Sequence, residues 1–349
     1  MSRPEPTLRL RVDTEALAAN WRALDRLSGE AETGAAVKAD AYGLGVDTCV
    51  PVLRDQGCRH FFVAHWSEVE DVARHVPAEQ IAVLHGPLRL GDVAYALETG
   101  AVPVINSIEQ ANRWAEGGGG TCHLMVDTGI NRLGVSARQL SDPAIAALDI
   151  DVVMSHLSSA DEDREVNRRQ LDAFRDATGR VAHRRTSLAN SAGLSLGADF
   201  CCDITRPGLA LYGGVQRAEL AEHIRQVAYV DAAIIQVREL SAGDAVGYNG
   251  EFVASGPMRV GTVSLGYADG FLRSRGPGGA LMHGEHACPL LGKVSMDMVV
   301  VDLAEAPDAG EGDWLAVPFN LPETARTGTL SQYELLTGIG NRLRASSHP

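Results

Sequence analysis

The chain has 349 residues, of which 45% are hydrophobic and 22% are charged. That balance is typical of a globular protein, and the length predicts a large barrel-like domain plus a smaller one. Lysine and arginine number 31 against 45 acidic residues, which gives a net charge of −14. Because nucleic-acid binding needs a basic surface, this charge argues against a nucleic-acid partner.

Targeting and redox features are also informative. The first residues, MSRPEPTLRLRVDTEAL, lack the apolar core of a signal peptide, and no later segment has the apolar length of a membrane span. The six cysteines show no CxxC spacing and no dense framework, so we expect them to be reduced and mostly buried. These features predict a cytoplasmic protein with no membrane partner.

The first two thirds of the chain alternate between strand and helix patterns. TLRLRVD (7–13) alternates like a strand, and Asp13-Thr14 can cap a helix through EALAANWRALDRL. Strands without polar alternation, buried on both faces, are typical of parallel sheets. Repeated strand–helix units then predict a (β/α)8 barrel, whose chemistry collects at the carboxyl ends of its strands. The later strands are expected at AAV (35–37), HFFVAH (60–65), QIAVLHG (80–86), AVPVIN (101–106), CHLMVDTG (122–129), DVVMSHLS (151–158), HRRTSLANS (183–191) and DITRPGLALYGG (203–214).

After about residue 225 the pattern changes to β-strands broken by glycine and proline turns. We therefore predict a barrel over residues 1–225 and a mostly-β domain over 226–349, with residues 1–12 forming a strand that joins the second domain. Within the barrel, HWSEVEDVARH (65–75) is interpreted as a helix start with surface charge.

Lys38 is the main catalytic candidate. It lies in AAVKADAYGLG, where a short apolar strand delivers an amine to its carboxyl end. A lone lysine in such a place is usually only solvated, so the remaining segments must support its role. If Lys38 forms a Schiff base, the natural cofactor is pyridoxal phosphate, which needs a phosphate cradle, a partner for its ring nitrogen and a group against its ring.

Several segments offer these groups. Amides and hydroxyls that follow strands make good anion sites, and a histidine at a strand end can pack on a cofactor ring. Taken alone, such a histidine is more often structural. The candidates are Ser191, Gly208 and Leu209 for the phosphate, Arg206 in the same RPGLALYGG segment, and His156 after VVMS. In DTGINRLG, Arg132 suits a substrate carboxylate.

Together these segments resemble the alanine racemases, pyridoxal-phosphate enzymes of fold type III. The resemblance runs from about residue 8 to about 345 and rests on AAVKADAYGLG, VDTGINRLG, MSHLSSAD, LANSAG, RPGLALYGG, SLGYADG and GKVSMDMVVVDL. It implies an N-terminal (β/α)8 barrel, a C-terminal mostly-β domain and a head-to-tail homodimer with shared active sites. It also implies alanine as the small-molecule substrate and a role in D-alanine supply for peptidoglycan or in alanine catabolism.

The resemblance also implies a role for each matching residue. Lys38 is the Schiff-base lysine, Arg206 bonds the pyridine nitrogen, and His156 lies beside the ring. The expected phosphate neighbours are Tyr42, Ser191, Gly208, Leu209 and Tyr333. Substrate contacts are Arg132 and the backbone of Met296, and the second catalytic base is Tyr267, with Met296 and Tyr267 contributed by the partner subunit.

Racemisation explains why two bases are needed. The α-proton leaves from one face of the substrate and returns on the other, so a base is required on each side. Lys38 can serve one face. Tyr267 can serve the other when positive or hydrogen-bonding neighbours favour its ionised form.

One position departs from the family pattern. The alanine racemases commonly have a carbamylated lysine just before VDTG, where it steadies the arginine that matches Arg132; here that position is Met125. Methionine cannot carry a carbamate. We therefore expect another group, such as Asn131 or a chloride ion, to hold Arg132.

Three other functions are weaker. A decarboxylase of basic amino acids on the same architecture would place an acid, not Arg206, on the pyridine nitrogen. A non-catalytic pyridoxal-phosphate carrier would be a single barrel without Tyr267. A metal-dependent hydrolase lacks support because no HExxH motif occurs. His283, His286 and Cys288 could begin a zinc site, but a polar β-turn is favoured and no metal is expected.

Overall fold

The computed structural model describes residues 4–344. The chain divides into two compact units, one built from residues 14–225 and the other from residues up to Asp13 together with those from Gln226 onward. The strands are β1 (Leu8–Val12), β2 (Glu32–Thr33), β3 (Ala35–Ala36), β4 (Phe61–Val63), β5 (Ile81–Val83), β6 (Val102–Ile105), β7 (Thr121–Met125), β8 (Asp149–Met154), β9 (Arg185–Ser187), β10 (Ile204–Thr205), β11 (Ala228–Leu240), β12 (Ala245–Val246), β13 (Phe252–Val253), β14 (Met258–Val263), β15 (Ala280–His283), β16 (His286–Leu291), β17 (Val299–Asp302) and β18 (Trp314–Val317).

Helices alternate with the strands in the first unit and are few in the second. They are α1 (Thr14–Ser28), α2 (Lys38–Tyr42), α3 (Val46–Gln56), α4 (Val69–Ala73), α5 (Leu90–Thr99), α6 (Ile108–Glu116), α7 (Pro143–Ala146), α8 (Glu165–Thr178), α9 (Leu321–Thr327), α10 (Gln332–Thr337) and α11 (Asn341–Arg344). Among residues 4–344, no helix combines the length and apolar character that a bilayer crossing requires.

The first unit is a parallel barrel. Strands β3 to β9 pair in sequence order, all parallel, and β10 pairs parallel with β2. Because β2 and β3 are one extended segment interrupted only at Gly34, this segment bonds to neighbours on both sides. Backbone bonds from Glu32 to Asp203 and from Asp203 to Thr186 close the ring. The predicted (β/α)8 fold class is thus confirmed.

Burial explains why these short segments become barrel strands. Most residues of β4, β5, β6 and β8 are buried, as expected of parallel strands with side chains packed on both faces. Helix α1 packs through one face, where Leu17, Trp21 and Leu24 are each at most 6% exposed. Such burial stabilises each strand–helix unit by removing apolar surface from water.

The second unit is an antiparallel sheet. Its strand order is β1-β11-β14-β17-β16-β15-β18, with a further pairing between β11 and β18. Strand β1 pairs with β11 from Leu8 opposite Ala232 to Val12 opposite Ala228. The N-terminal strand therefore belongs to the same sheet as the C-terminal residues.

A tight hairpin joins β15 and β16. His283 and His286 face each other at its end, and Cys288 pairs with Leu281 further along. Within the described range 4–344, no group of three metal-ligating side chains has suitable geometry.

Candidate active site

The sequence-predicted residues of the barrel gather at one end, together with three that were not predicted, His65, Glu68 and His85. Polar side chains follow the carboxyl ends of successive strands, where parallel strands open toward the same face. They are Lys38 after β3, His65 and Glu68 after β4, His85 after β5, Arg132 after β7, His156 after β8, Ser191 after β9, and Arg206 after β10. These residues form the candidate active site of the barrel.

The backbone turns in an unusual way directly after Lys38. Ala39, Asp40, Ala41 and Tyr42 have φ between 52° and 57°, so α2 is a single left-handed turn made of four non-glycine residues. At roughly 1–2 kcal/mol per residue, this conformation costs about 4–8 kcal/mol. Surrounding contacts must offset that cost. One of them is the Asp40 carboxylate, which accepts a bond of 2.8 Å from the Val46 amide.

The Lys38 amine lies in a mostly positive environment. Burial lowers its pKa below the ordinary value, and the charges of Arg132 and Arg206 lower it further, whereas Glu68 raises it. A lower pKa increases the fraction of free amine at neutral pH. Free amine is the form that attacks a carbonyl or accepts a proton.

A group of amides and hydroxyls forms a cradle beside this turn. The buried Ser191 Oγ accepts bonds from the amides of Gly208 at 2.9 Å and Ala210 at 3.2 Å. The Tyr42 hydroxyl packs on Gly208 so closely that a Cβ there would lie 2.3 Å from it. Leu209, 1% exposed, lies between the two amides. Convergent N–H and O–H groups of this kind suit a phosphate.

Arg206 is buried, with only 7% of its surface exposed. Its guanidinium donates to Ser187 Oγ and to the carbonyls of Ser155 and Leu188. Among residues 4–344, no carboxylate forms an ion pair with it, and burial lowers the pKa of Arg206 to about 10. A buried donor without a counter-ion suits an uncharged acceptor such as a pyridine nitrogen.

His156 is held neutral. Burial, followed by the charges of Arg206, Arg132 and Lys38, lowers the pKa of its imidazole to about 3. Its carbonyl accepts a bond of 3.1 Å from Gln170 Nε2, which fixes the segment after β8. A neutral ring can pack on a cofactor without adding positive charge.

Arg132 lies in an exposed loop, but its charge still acts on Lys38 and His156. The structure does not show the predicted contact with Asn131. The Asn131 side chain instead donates to the Gly129 carbonyl at 3.5 Å, within a turn capped by Asp127. Met125 is 7% exposed and packs near Gly134.

Sequence reasoning missed three residues of this site. His65 and His85 follow adjacent strands and meet edge to face, with ring centroids 4.3 Å apart. Burial, His65 and Lys38 lower the pKa of His85. Glu68 completes the group. The chain contains only two lysines, Lys38 and Lys293, and that scarcity was a further unused signal.

The second unit carries the other predicted residues. Tyr267 lies in a turn over Tyr267–Asp269, where its amide donates to Ser295 O at 3.1 Å and the Ala268 amide donates to Met296 O at 3.0 Å. The Met296 side chain is 53% exposed. Tyr333 lies in α10 and is 39% exposed.

A buried carboxylate supports the turn that carries Tyr267. Asp269 accepts from the Gly266 amide at 2.9 Å and from Arg342 Nε at 2.7 Å. The Arg273 guanidinium lies 5.3 Å from the Tyr267 ring centre, within the range of a cation–π interaction. The phenol therefore has a cationic neighbour.

A cavity of about 260 Å³ lies at the opposite end of the barrel. It is lined by the start of several strands and by an ion-pair network in which Arg185 bonds Asp151 at 2.6 Å. Barrels of this kind carry their active sites at the carboxyl ends of the strands. We therefore interpret this cavity, at the amino ends, as a structural feature.

The fold and the site define a lysine-bearing barrel enzyme of the pyridoxal-phosphate class. Profiles of the alanine racemase N-terminal and C-terminal domains match residues 12–216 and 227–346. The chain therefore belongs to the alanine racemase family, and it is a pyridoxal-phosphate-dependent racemase.

Individual relatives agree with this assignment. The chain is 40% identical to the biosynthetic alanine racemase of Agrobacterium fabrum, over 96% of this chain and 92% of the relative. It is 36% identical to the catabolic alanine racemase of the same organism, over 97% and 91%. The alanine racemase of Bartonella henselae with covalently bound pyridoxal phosphate superposes with a TM-score of 0.88 at 32% identity, covering 96% of this chain and 98% of that one.

The residues present fit this cofactor. The amides around Ser191 form a phosphate cradle. The buried Arg206 has no acidic partner among residues 4–344, and the neutral His156 ring is available to lie against the cofactor ring. Lys38 would anchor it, Tyr42 and Gly208 would face its phosphate, and Arg206 would face its ring nitrogen.

Proposed function

We propose that the protein interconverts L-alanine and D-alanine by a two-base mechanism. Lys38 would serve one face of the substrate, and Tyr267 of the partner subunit would serve the other. The observation that carries this proposal is the half-buried Lys38 amine at the barrel mouth, whose pKa is lowered by burial and by Arg132 and Arg206. When bound, pyridoxal phosphate supplies the electron sink that acidifies the α-proton.

The chain's own groups would divide the remaining work. Lys38, with its lowered pKa, would take or return a proton at Nζ. Arg132 would bind the substrate carboxylate as a donor-only fork. His156 would stay neutral, and Arg206 would donate to the ring nitrogen without giving up its proton.

Shared active sites, which the resemblance to the alanine racemases implies, would require Tyr267 to be presented from a well-defined loop. Backbone bonds to Ser295 and Met296 and the buried Asp269 hold this turn, so its phenol is presented by a fixed loop. We propose that a homodimer places this loop of one copy at the barrel of the other. Tyr333 would approach the phosphate, and Met296 the substrate.

Isotope exchange tests the two-base proposal. In deuterated solvent, Tyr267→Phe should exchange the α-hydrogen of only one alanine enantiomer, because one base remains, and should not invert it. Exchange of both enantiomers at equal rates would contradict the assignment of opposite faces. If sites are shared, each mixed dimer of one Lys38→Ala and one Tyr267→Phe subunit should recover one functional site of its two.

For the cellular role we propose two alternatives, supply of D-alanine and catabolism of alanine. Relatives named biosynthetic and catabolic both match the chain, so D-alanine supply for peptidoglycan and alanine catabolism are both supported. All six cysteines are free, and five are buried, which favours the reducing cytoplasm. A requirement for D-alanine after gene deletion would distinguish supply from catabolism.

A further inference from the structure

The left-handed turn after Lys38 is tied to the neighbouring strand by one side chain. Glu68 Oε1 accepts from the Ala39 amide, the first peptide after the lysine. Glu68 Oε2 accepts from the amides of Ala64 at 2.7 Å and His65 at 2.9 Å. Both carboxylate oxygens are thus used, and they join the residues that follow β3 to those that follow β4.

We propose that Glu68 is the positioning residue for Lys38, because its carboxylate fixes where the strand ends and where the left-handed turn begins. The inference rests on the proposed function of Lys38. Glu68 touches the backbone beside the lysine rather than the reacting atoms. Its role is therefore to orient the amine.

Electrostatics support the same role. The charged groups that act on Lys38 are Arg132 and Arg206, which lower its pKa, and Glu68, which raises it. The histidines that face it are His85 and His156, whose own pKa values are lowered chiefly by burial. Removing the charge of Glu68 should thus leave Lys38 with a lower pKa than in the unmodified protein.

Two substitutions separate charge from geometry. Glu68→Gln keeps the size but replaces one acceptor oxygen with an NH2 group, which must face a backbone N–H. Glu68→Asp keeps the charge but is shorter by one methylene, so it cannot reach both loops. Glu70→Gln is the matched control, because Glu70 is an exposed glutamate two residues further along, in helix α4.

Steady-state kinetics of the holoenzyme give the first readout. A displacement of a reacting group by about 1 Å can cost about 100-fold in rate. We expect kcat to fall about 10- to 100-fold in both Glu68 variants, with KM changed less than threefold. Glu70→Gln should match the unmodified enzyme.

Chemical labelling gives a second readout that is independent of activity. Because the chain contains only Lys38 and Lys293, acetylation can be followed at both by mass spectrometry. Lys293 pairs with Glu251 at 2.7 Å in the other unit and serves as the internal reference. On full-length protein freed of cofactor, the pH midpoint of Lys38 acetylation should fall in Glu68→Gln, while that of Lys293 stays constant.

The outcomes separate this inference from the proposed function. If Glu68→Gln lowers only the melting temperature, leaving kcat and the Lys38 midpoint unchanged, Glu68 is merely structural and the inference is overturned. If Lys38→Ala still racemises alanine, the proposed function fails, but the labelling midpoint still reports whether Glu68 acts on Lys38.

Discussion

Gly208 is the position where a single methyl group should most clearly disturb the cradle. An ideal Cβ at Gly208 would lie 2.3 Å from Tyr42 Oη and 3.0 Å from Tyr42 Cζ. Tyr42 is only 6% exposed and stacks on Tyr212, with ring centroids 4.9 Å apart. Its ring therefore has little room to move away from an alanine at this position.

The expected size of the effect follows from this overlap. Forcing one extra carbon into a packed site costs about 1–3 kcal/mol. A second contact is also tight, because the same Cβ would lie 3.3 Å from the Cβ of Ala36. If the displaced Tyr42 hydroxyl faces the cofactor phosphate, Gly208→Ala should raise the Kd for pyridoxal phosphate about 5- to 150-fold.

Spectroscopic titration with pyridoxal phosphate measures this Kd directly. Gly91→Ala is the matched control, because a Cβ at Gly91 would meet nothing within 4 Å. Gly91 lies at the start of α5, where alanine is the better helix former, so the control should bind normally and unfold no more easily. A Kd for Gly208→Ala within twofold of the unmodified protein would refute the assignment of Gly208 and Tyr42 to the phosphate.

Two further predictions concern stability. Asp269→Asn should lower the free energy of unfolding, measured by urea titration, by about 1–3 kcal/mol, because it weakens a buried acceptor of Arg342. Asp297 contacts the same arginine at an exposed position, so Asp297→Asn should lower it by less than about 1 kcal/mol. Equal losses would contradict this difference. Burial and neighbouring arginines lower the pKa of His156 from 6.5 to about 3. As the pH drops, the unfolded chain takes up a proton on this histidine before the folded protein does. The free energy of unfolding should therefore fall between pH 6.5 and 3, and it should fall less in His156→Asn. The same pH dependence in His156→Asn and the unmodified protein would contradict a neutral His156 in the folded state.

The barrel could be predicted from the sequence because its strands are short, apolar and regularly spaced. Residues that follow such strands lie at one face by topology alone, which is why Lys38, His156 and Arg206 could be nominated together. Strand bounds were less accurate. HFFVAH suggests six residues, but β4 covers only Phe61–Val63, because the amides of Ala64 and His65 bond to the Glu68 carboxylate rather than to a strand.

The left-handed turn could not be predicted. Ala39 and Ala41 favour right-handed helix, and no glycine marks the positive φ of this segment. Tertiary contacts override that preference: Glu68 holds its first amide, and Asp40 bonds the next helix. Local propensity contains no information about such long-range bonds.

The sequence HWSEVEDVARH is interpreted as a helix start with surface charge, which would leave Glu68 in water. The three-residue spacing of Glu68 from His65 is that of a capping box, in which a glutamate reaches back to the amides that precede a helix. That spacing was a usable signal. The additional bond to Ala39, 29 residues earlier, was not accessible from sequence.

The role of Lys38 is tested most directly by the rate at which L-alanine yields D-alanine in Lys38→Ala, compared with the unmodified enzyme at saturating pyridoxal phosphate. A single acid–base group contributes about 100- to 10,000-fold, and Lys38 is proposed both to anchor the cofactor and to move the proton. A loss of at least about 1,000-fold is therefore expected. Racemisation within tenfold of the unmodified rate would contradict the proposed role of Lys38.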